Sequence, residues 1–168
     1  MWYVVQVRTG MEEEIITQCR KIVPSSILER CFLPYFEMMK KYQGEWHKKK
    51  KVLFPGYVFM ITDDIDSLYM ELKRVIGLTK LIGTGEEIIP LGQEDIRFLK
   101  KFGKEEQVVK MSKGVILDGK VIITDGPLKG QEGIIKKIDR HKRKAYLSIP
   151  MFGRVLDTQV GLEIVEKK

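Results

Sequence analysis

At 168 residues the chain has room for one or two domains, and a hydrophobic content of 43% excludes disorder throughout. With 30 Lys and Arg against 23 Asp and Glu, the net charge is +7 and the isoelectric point near 9.3, which points to a polyanionic partner. No apolar run approaches the roughly 20 residues of a membrane span, and the opening Trp2-Tyr3-Val4-Val5 lacks the basic head and cleavage site of a secretion signal. No membrane partner and a cytoplasmic location are therefore expected.

In chain order, residues 2–7 alternate and are β-branched, so they predict a strand. A helix follows Thr9-Gly10. Glu12, Glu13 and Glu14 fill its first turn, where carboxylates complement the helix dipole, and Pro24 ends it. Its apolar face is Met11, Ile15, Ile16, Cys19, Ile22 and Val23. Residues 27–33 read as a second strand. Cys19 and Cys31 are expected as buried, reduced thiols. Residues 35–52 predict a hairpin turning at Gln43-Gly44, its His47-Lys48-Lys49-Lys50-Lys51 limb a mobile, solvated tip. Then come Leu53-Phe54-Pro55-Gly56-Tyr57, a strand over 58–61, and a helix capped at Asp66-Ser67 that stops at Gly77. A strand over 78–82 and a helix over 92–102 complete an order (strand, helix, strand, strand, helix, strand) that resembles the ferredoxin-like arrangement.

After Phe102 the polar run Gly103-Lys104-Glu105-Glu106-Gln107 breaks the pattern, and 103–113 reads as a linker. Short strands are expected over 115–117, 121–124, 133–138, 145–149 and 155–160, with turn signals between them, which suits a small barrel. Within it, Gly126-Pro127 and Gly130 build a tight loop between two β-branched runs. That glycine loop resembles the KOW motif.

Three ordered features carry a wider resemblance: Trp2-Tyr3-Val4-Val5 with Thr9-Gly10, then Leu53-Phe54-Pro55-Gly56-Tyr57, then the KOW element followed by Phe152-Gly153-Arg154. Together they resemble the NusG family of transcription elongation factors, over essentially the whole chain. The resemblance implies an α+β fold, with a ferredoxin-like NGN domain at 1–102, the linker at 103–113 and a small SH3-like KOW β-barrel at 114–168. It further implies a monomer that binds the clamp helices of RNA polymerase through an apolar NGN surface. Trp2, Tyr3, Phe54, Pro55, Tyr57 and Phe59 are the residues expected there, with Phe54 and Tyr57 facing the partner, because aromatic anchors dominate interfaces.

In general members of the family the barrel recruits a small-subunit ribosomal protein or Rho, and Leu128 and Phe152 are the matching apolar positions. Here their surroundings are cationic. Lys129 is in the loop, Lys136 and Lys137 end a strand, Arg140, His141, Lys142, Arg143 and Lys144 fill the next turn, and Arg154 follows Phe152. Such density is an electrostatic footprint for phosphate, and it resembles the LoaP-like branch, whose members are antiterminators that recognise a structured leader RNA hairpin. A weaker DNA contact is expected through Arg8 and residues 48–51, although Glu12, Glu13 and Glu14 repel a DNA backbone. The chain lacks a Walker loop, a G-x-S-x-G elbow, a Cys/His nucleophile pair and a clustered metal-ligand set, so neither an enzyme nor a cofactor is expected.

Overall fold

The computed structural model describes residues 1–78 and 88–168. Elements of the first part are β1 (Trp2–Gln6), α1 (Glu12–Ile22), β2 (Arg30–Phe32), β3 (Tyr35–Tyr42), β4 (Glu45–Val52), β5 (Tyr57–Ile61) and α2 (Ile65–Leu72). There follow β6 (Ile88–Pro90), α3 (Gln93–Gly103), β7 (Val108–Val109), β8 (Ser112–Leu117) and β9 (Lys120–Asp125). A 3-10 turn (Glu132–Ile134) leads to β10 (Ile135–Asp139), β11 (Lys144–Met151) and β12 (Arg154–Lys167). The fold is α+β. The chain divides into two compact units, Met1–Leu33 with Phe54–Ile96, and Pro34–Leu53 with Arg97–Lys168.

In the first unit β2, β5, β1 and β6 lie side by side, every pair antiparallel. With α1 after β1 and α2 after β5, this is the ferredoxin-like order. Register assigns the faces. Tyr3, Val5, Val58, Met60 and Cys31 share one face; Trp2, Val4, Gln6, Tyr57, Phe59, Ile61, Arg30 and Phe32 share the other. Helix α1 lies on the Cys31 face. Its buried Cys19 exchanges a thiol hydrogen bond with Cys31, and Arg20 Nη2 donates to the Cys31 carbonyl at 3.4 Å. Donation of its S–H to Cys19, with burial, holds the Cys31 thiol protonated, its pKa well above the ordinary value. Both cysteines are free and buried, as expected.

Helix α1 stops where Val23 turns extended (φ −90°, ψ 125°), one residue before Pro24. Helix α2 is capped two residues earlier than expected, at Asp64 and not Asp66: the Asp64 carboxylate accepts the Ser67 N–H at 3.1 Å. It ends at Leu72, beyond which Arg74 and Val75 donate to carbonyls three residues back, before Gly77 at φ +97°. Of the strand expected over 78–82, Leu78 is a buried turn residue and the remainder lies outside the described residues.

The second unit holds a five-stranded sheet in the order β10-β11-β12-β8-β9 and a three-stranded one in the order β4-β3-β7. Strand β11 alternates as a barrel wall should, with Ala145, Leu147, Ile149 and Met151 buried. Strand β12 serves two partners. Its first half pairs antiparallel with β11 as far as Gly161, and from Leu162 it runs parallel to β8. The basic limb at 47–51, expected to be mobile, is strand β4, paired with β3 residue for residue from Tyr35↔Val52 to Tyr42↔Glu45. Backbone pairing satisfies its amides whatever the side chains carry. Residues 103–113, expected to be a linker, include β7, which runs parallel to β3. Buried Gln107 ties the stretch down, donating to the Leu99 and Lys104 carbonyls at 3.1 and 2.8 Å while its own carbonyl accepts the Tyr35 N–H at 2.8 Å.

Candidate functional site

Two surfaces carry the chemistry that the sequence singles out. The first is aromatic and belongs to the sheet face opposite α1. Trp2 meets Phe32 edge-on (5.4 Å between centroids), Phe32 stacks on Phe59 (5.6 Å), and Phe54 leans on Phe59 (6.0 Å). The Arg30 guanidinium covers Phe32 at 4.6 Å. Phe32 and Phe59 form the buried centre of this cluster; Trp2, Tyr57 and Ile61 are its half-buried margin, and Pro55 is exposed.

Three of the expected docking residues therefore need correction. Phe54 is 2% exposed and Phe59 1% exposed. Neither faces outward: Phe59 shares the strand parity of Tyr57 but sits mid-sheet between Val4 and Phe32, and Phe54 packs onto it. Tyr3 has the opposite parity to Trp2, so it lies on the α1 side and does not join the cluster. What remains accessible is Trp2, Pro55 and Tyr57. Glu12 holds their loop. Its buried carboxylate accepts the N–H of Gly10 at 2.5 Å and of Gly56 at 3.1 Å, pinning the start of α1 to the Phe54-Pro55-Gly56-Tyr57 turn. The Gly56 bond spans 44 residues of sequence, so no local pattern signals this role of Glu12.

The second surface is basic. The β10–β11 turn displays Arg140, His141 and Lys142 to solvent. The Asp139 carboxylate accepts the Lys142 N–H at 2.9 Å. That backbone hydrogen bond, assisted by Lys142, Lys144 and His141, holds the Asp139 carboxyl below the usual aspartate pKa. Arg143 adopts φ +53°, and its carbonyl accepts the Leu162 N–H at 2.9 Å. Its guanidinium lies 4.1 Å from the centre of the Trp46 ring, while Lys144 Nζ lies 5.1 Å from that of Tyr146. Trp46 was not among the expected site residues; a tryptophan inside a lysine run was the available signal.

The other predicted basic residues are spread out. Lys136 is the extra residue of a β-bulge in β10 and pairs with Asp157 at 3.5 Å; Lys137 is exposed beside it. Both line a groove of about 500 Å³ with Ile116, Val121, Ile135 and Ile138. Lys129 is exposed on the 126–130 loop. Arg154 is at the far end of β11 from the basic turn, roughly 23 Å away at about 3.3 Å per residue, so the fold does not gather it with residues 140–144.

Leu128, expected as an exposed docking residue, is 0% exposed. Gly126 lets its loop turn inward: at φ +100°, a Cβ there would sit 2.6 Å from Ser112 Cα. Ser112 Oγ then accepts the Leu128 N–H at 3.0 Å, which seats the leucine in the barrel. Phe152 and Gly153, at φ +39° and +74°, form the two-residue turn between β11 and β12, with Phe152 half-buried. Arg8 is exposed after β1, in the first unit, whereas residues 48–51 belong to the second.

Comparison with known families accounts for this arrangement. The model described as "Transcription termination factor nusG" matches residues 1–100, well over half of the chain, and that of the KOW motif matches residues 117–156. The chain belongs to the NusG family. It is thus a transcription termination/antitermination factor by family, and the family is not one of enzymes. Proteins named "Transcription termination/antitermination protein NusG" align over 99% of this chain. That of Pasteurella multocida is 26% identical and that of Staphylococcus carnosus 29% identical, each with 94% of its own length covered. A solved structure described as "Domain interaction in Thermotoga maritima NusG" matches 97% of this chain and 93% of its own, with a TM-score of 0.57 and 23% identity, a likeness of fold. No helix among the described residues is long and apolar enough to cross a membrane.

Proposed function

We propose that this NusG-family protein is a LoaP-like processive antitermination factor, acting as a monomer that anchors on RNA polymerase and holds a structured leader RNA hairpin. The NGN domain, residues 1–102, docks the polymerase clamp helices with Trp2, Pro55 and Tyr57, over a rigid floor of Phe32, Phe54 and Phe59. The KOW domain, residues 114–168, joined through 103–113, grips RNA phosphates with Arg140, His141, Lys142, Arg143 and Lys144. Holding both partners on one chain raises the effective concentration of the RNA at the enzyme.

The observation that carries this reading is the β10–β11 turn. It presents consecutive cationic side chains on a backbone fixed by Asp139 and Leu162, the footprint of a phosphate-binding surface. The alternative, a general factor whose barrel recruits a ribosomal protein or Rho, has Leu128 and Phe152 as its apolar positions; Leu128 is buried, and Phe152 is half-buried at the β11–β12 turn.

Two binding measurements test the proposal. Changing Lys142, Arg143 and Lys144 to Gln should weaken binding of a bulged RNA hairpin in a gel shift and lower the salt slope by roughly 2–3. Unchanged affinity and slope would refute the RNA assignment. Trp2→Ala with Tyr57→Ala should abolish co-purification with core polymerase while leaving RNA binding intact; retained co-purification would refute the docking surface.

A further inference from the structure

Two basic segments that are far apart in sequence meet inside the second unit. The Arg143 guanidinium from the β10–β11 turn rests on the ring of Trp46 in β4, 4.1 Å from its centre. Strand alternation puts Lys48 and Lys50 on the same face of β4 as Trp46, and Lys41 opposite Trp46 on β3 joins them. Lys48 lies 4.0 Å from the Glu37 carboxylate, and Lys50 covers the Tyr35 ring at 4.6 Å. All of these lysines are solvent-exposed.

The seating of the hairpin is specific. Strand β3 crosses β12 at Gly161, where a Cβ would come within 2.6 Å of the Glu37 carbonyl oxygen. A few residues away the Thr158 hydroxyl donates to the Leu53 carbonyl. These two contacts fix the hairpin on the strand that also pairs with β11, so Trp46 is held where Arg143 reaches it.

We infer that β4 and the β10–β11 turn form one composite RNA-binding surface, with the Trp46–Arg143 stack at its centre and Lys48 and Lys50 extending its phosphate contacts. This rests on the RNA reading above. A guanidinium held over an aromatic ring, as Arg143 is over Trp46, keeps N–H donors available for phosphate. The half-buried indole supplies an aromatic surface next to that guanidinium, the kind of group against which an unpaired base of a bulge or loop packs. Flanking lysines add charge along one direction, which suits a nucleic-acid backbone and not a point anion. Residues 48–51 thus act with the barrel on RNA, and the separate DNA contact expected of them is replaced.

The test uses the full chain, a fluorescein-labelled RNA hairpin with an internal bulge, and a single-stranded DNA of equal length. Lys48→Gln with Lys50→Gln should weaken RNA binding about tenfold and lower the salt slope by roughly 1–2, with the DNA control little changed. In a Trp2→Phe background, where Trp46 is the remaining tryptophan, titrating RNA should quench or shift its emission. Unchanged RNA affinity and slope in the β4 variant, while the Lys142/Arg143/Lys144 variant is weakened, would overturn the composite surface and leave the RNA reading standing. If neither variant matters, the RNA reading falls and this inference with it. Loss of DNA binding alone in the β4 variant would overturn the inference in favour of a DNA contact.

Discussion

Replacing Leu128 with alanine separates a docking residue from a structural one. The side chain is fully buried and its amide is bonded to Ser112 Oγ. The change removes three carbon groups. At about 0.8 kcal/mol for each buried CH₂, transfer alone costs about 2.4 kcal/mol, and the cavity left behind raises the total to about 3–4 kcal/mol. That is a large share of the roughly 5–15 kcal/mol that holds a unit of this size. With a urea m-value near 2 kcal/mol/M, the midpoint should fall by about 1.5–2 M. Emission of Trp46 in a Trp2→Phe background reports the second unit, to which Leu128 belongs. Leu128→Met, nearly volume-conserving, should cost under about 1.5 kcal/mol. A midpoint shift below about 0.5 M for Leu128→Ala would refute the structural role and return the residue to the surface.

Other substitutions probe the remaining supports. Glu12→Ala leaves the Gly10 and Gly56 amides without their acceptor, so urea unfolding followed by Trp2 emission, in a Trp46→Phe background, should show a loss of about 1–3 kcal/mol. A loss under about 0.5 kcal/mol would contradict the clamp. Gly161→Ala should lift β3 off β12, costing about 1–3 kcal/mol and red-shifting Trp46 emission; an unshifted spectrum would contradict the crossing. Because the folded pKa of Asp139 is depressed, its stabilising contribution is complete above the unfolded value and lost as pH falls through the folded one. The Lys142 amide resonance should therefore titrate below the ordinary aspartate range and stop titrating in Asp139→Asn; a midpoint at or above that range would contradict the bond.

Local pattern made much of the fold legible. Burial on β11 alternates because its sequence does, and Pro24 follows directly on the end of α1, whereas α2 ends at Leu72, five residues before the expected stop at Gly77. The three ordered motifs were enough to place the chain in its family. Near-equivalent choices were harder. Asp64 and Asp66 are both good caps, and only the direction of the Ser67 amide decides between them. Leu128 matches the family's apolar docking position, but a hydroxyl sixteen residues away draws its amide inward and its side chain is buried. The hairpin over 35–52 and its turn at Gln43-Gly44 were legible, but the lysines over 48–51 suggested a mobile limb, whereas pairing with β3 is a backbone matter. Alternation alone assigned Tyr57 and Phe59 a common face without saying which lies mid-sheet. The Trp46–Arg143 contact joins distant segments, so no local periodicity signals it.

The central claim is that one chain tethers structured leader RNA to an elongating polymerase. Single-round transcription through an intrinsic terminator, on templates with and without a candidate leader hairpin, tests it most directly. Readthrough should rise on addition of the protein only where the hairpin is transcribed. It should return to the basal level with the Lys142, Arg143 and Lys144 to Gln variant and with the Trp2→Ala, Tyr57→Ala variant. Equal readthrough on both templates, or full activity in either variant, would contradict the account.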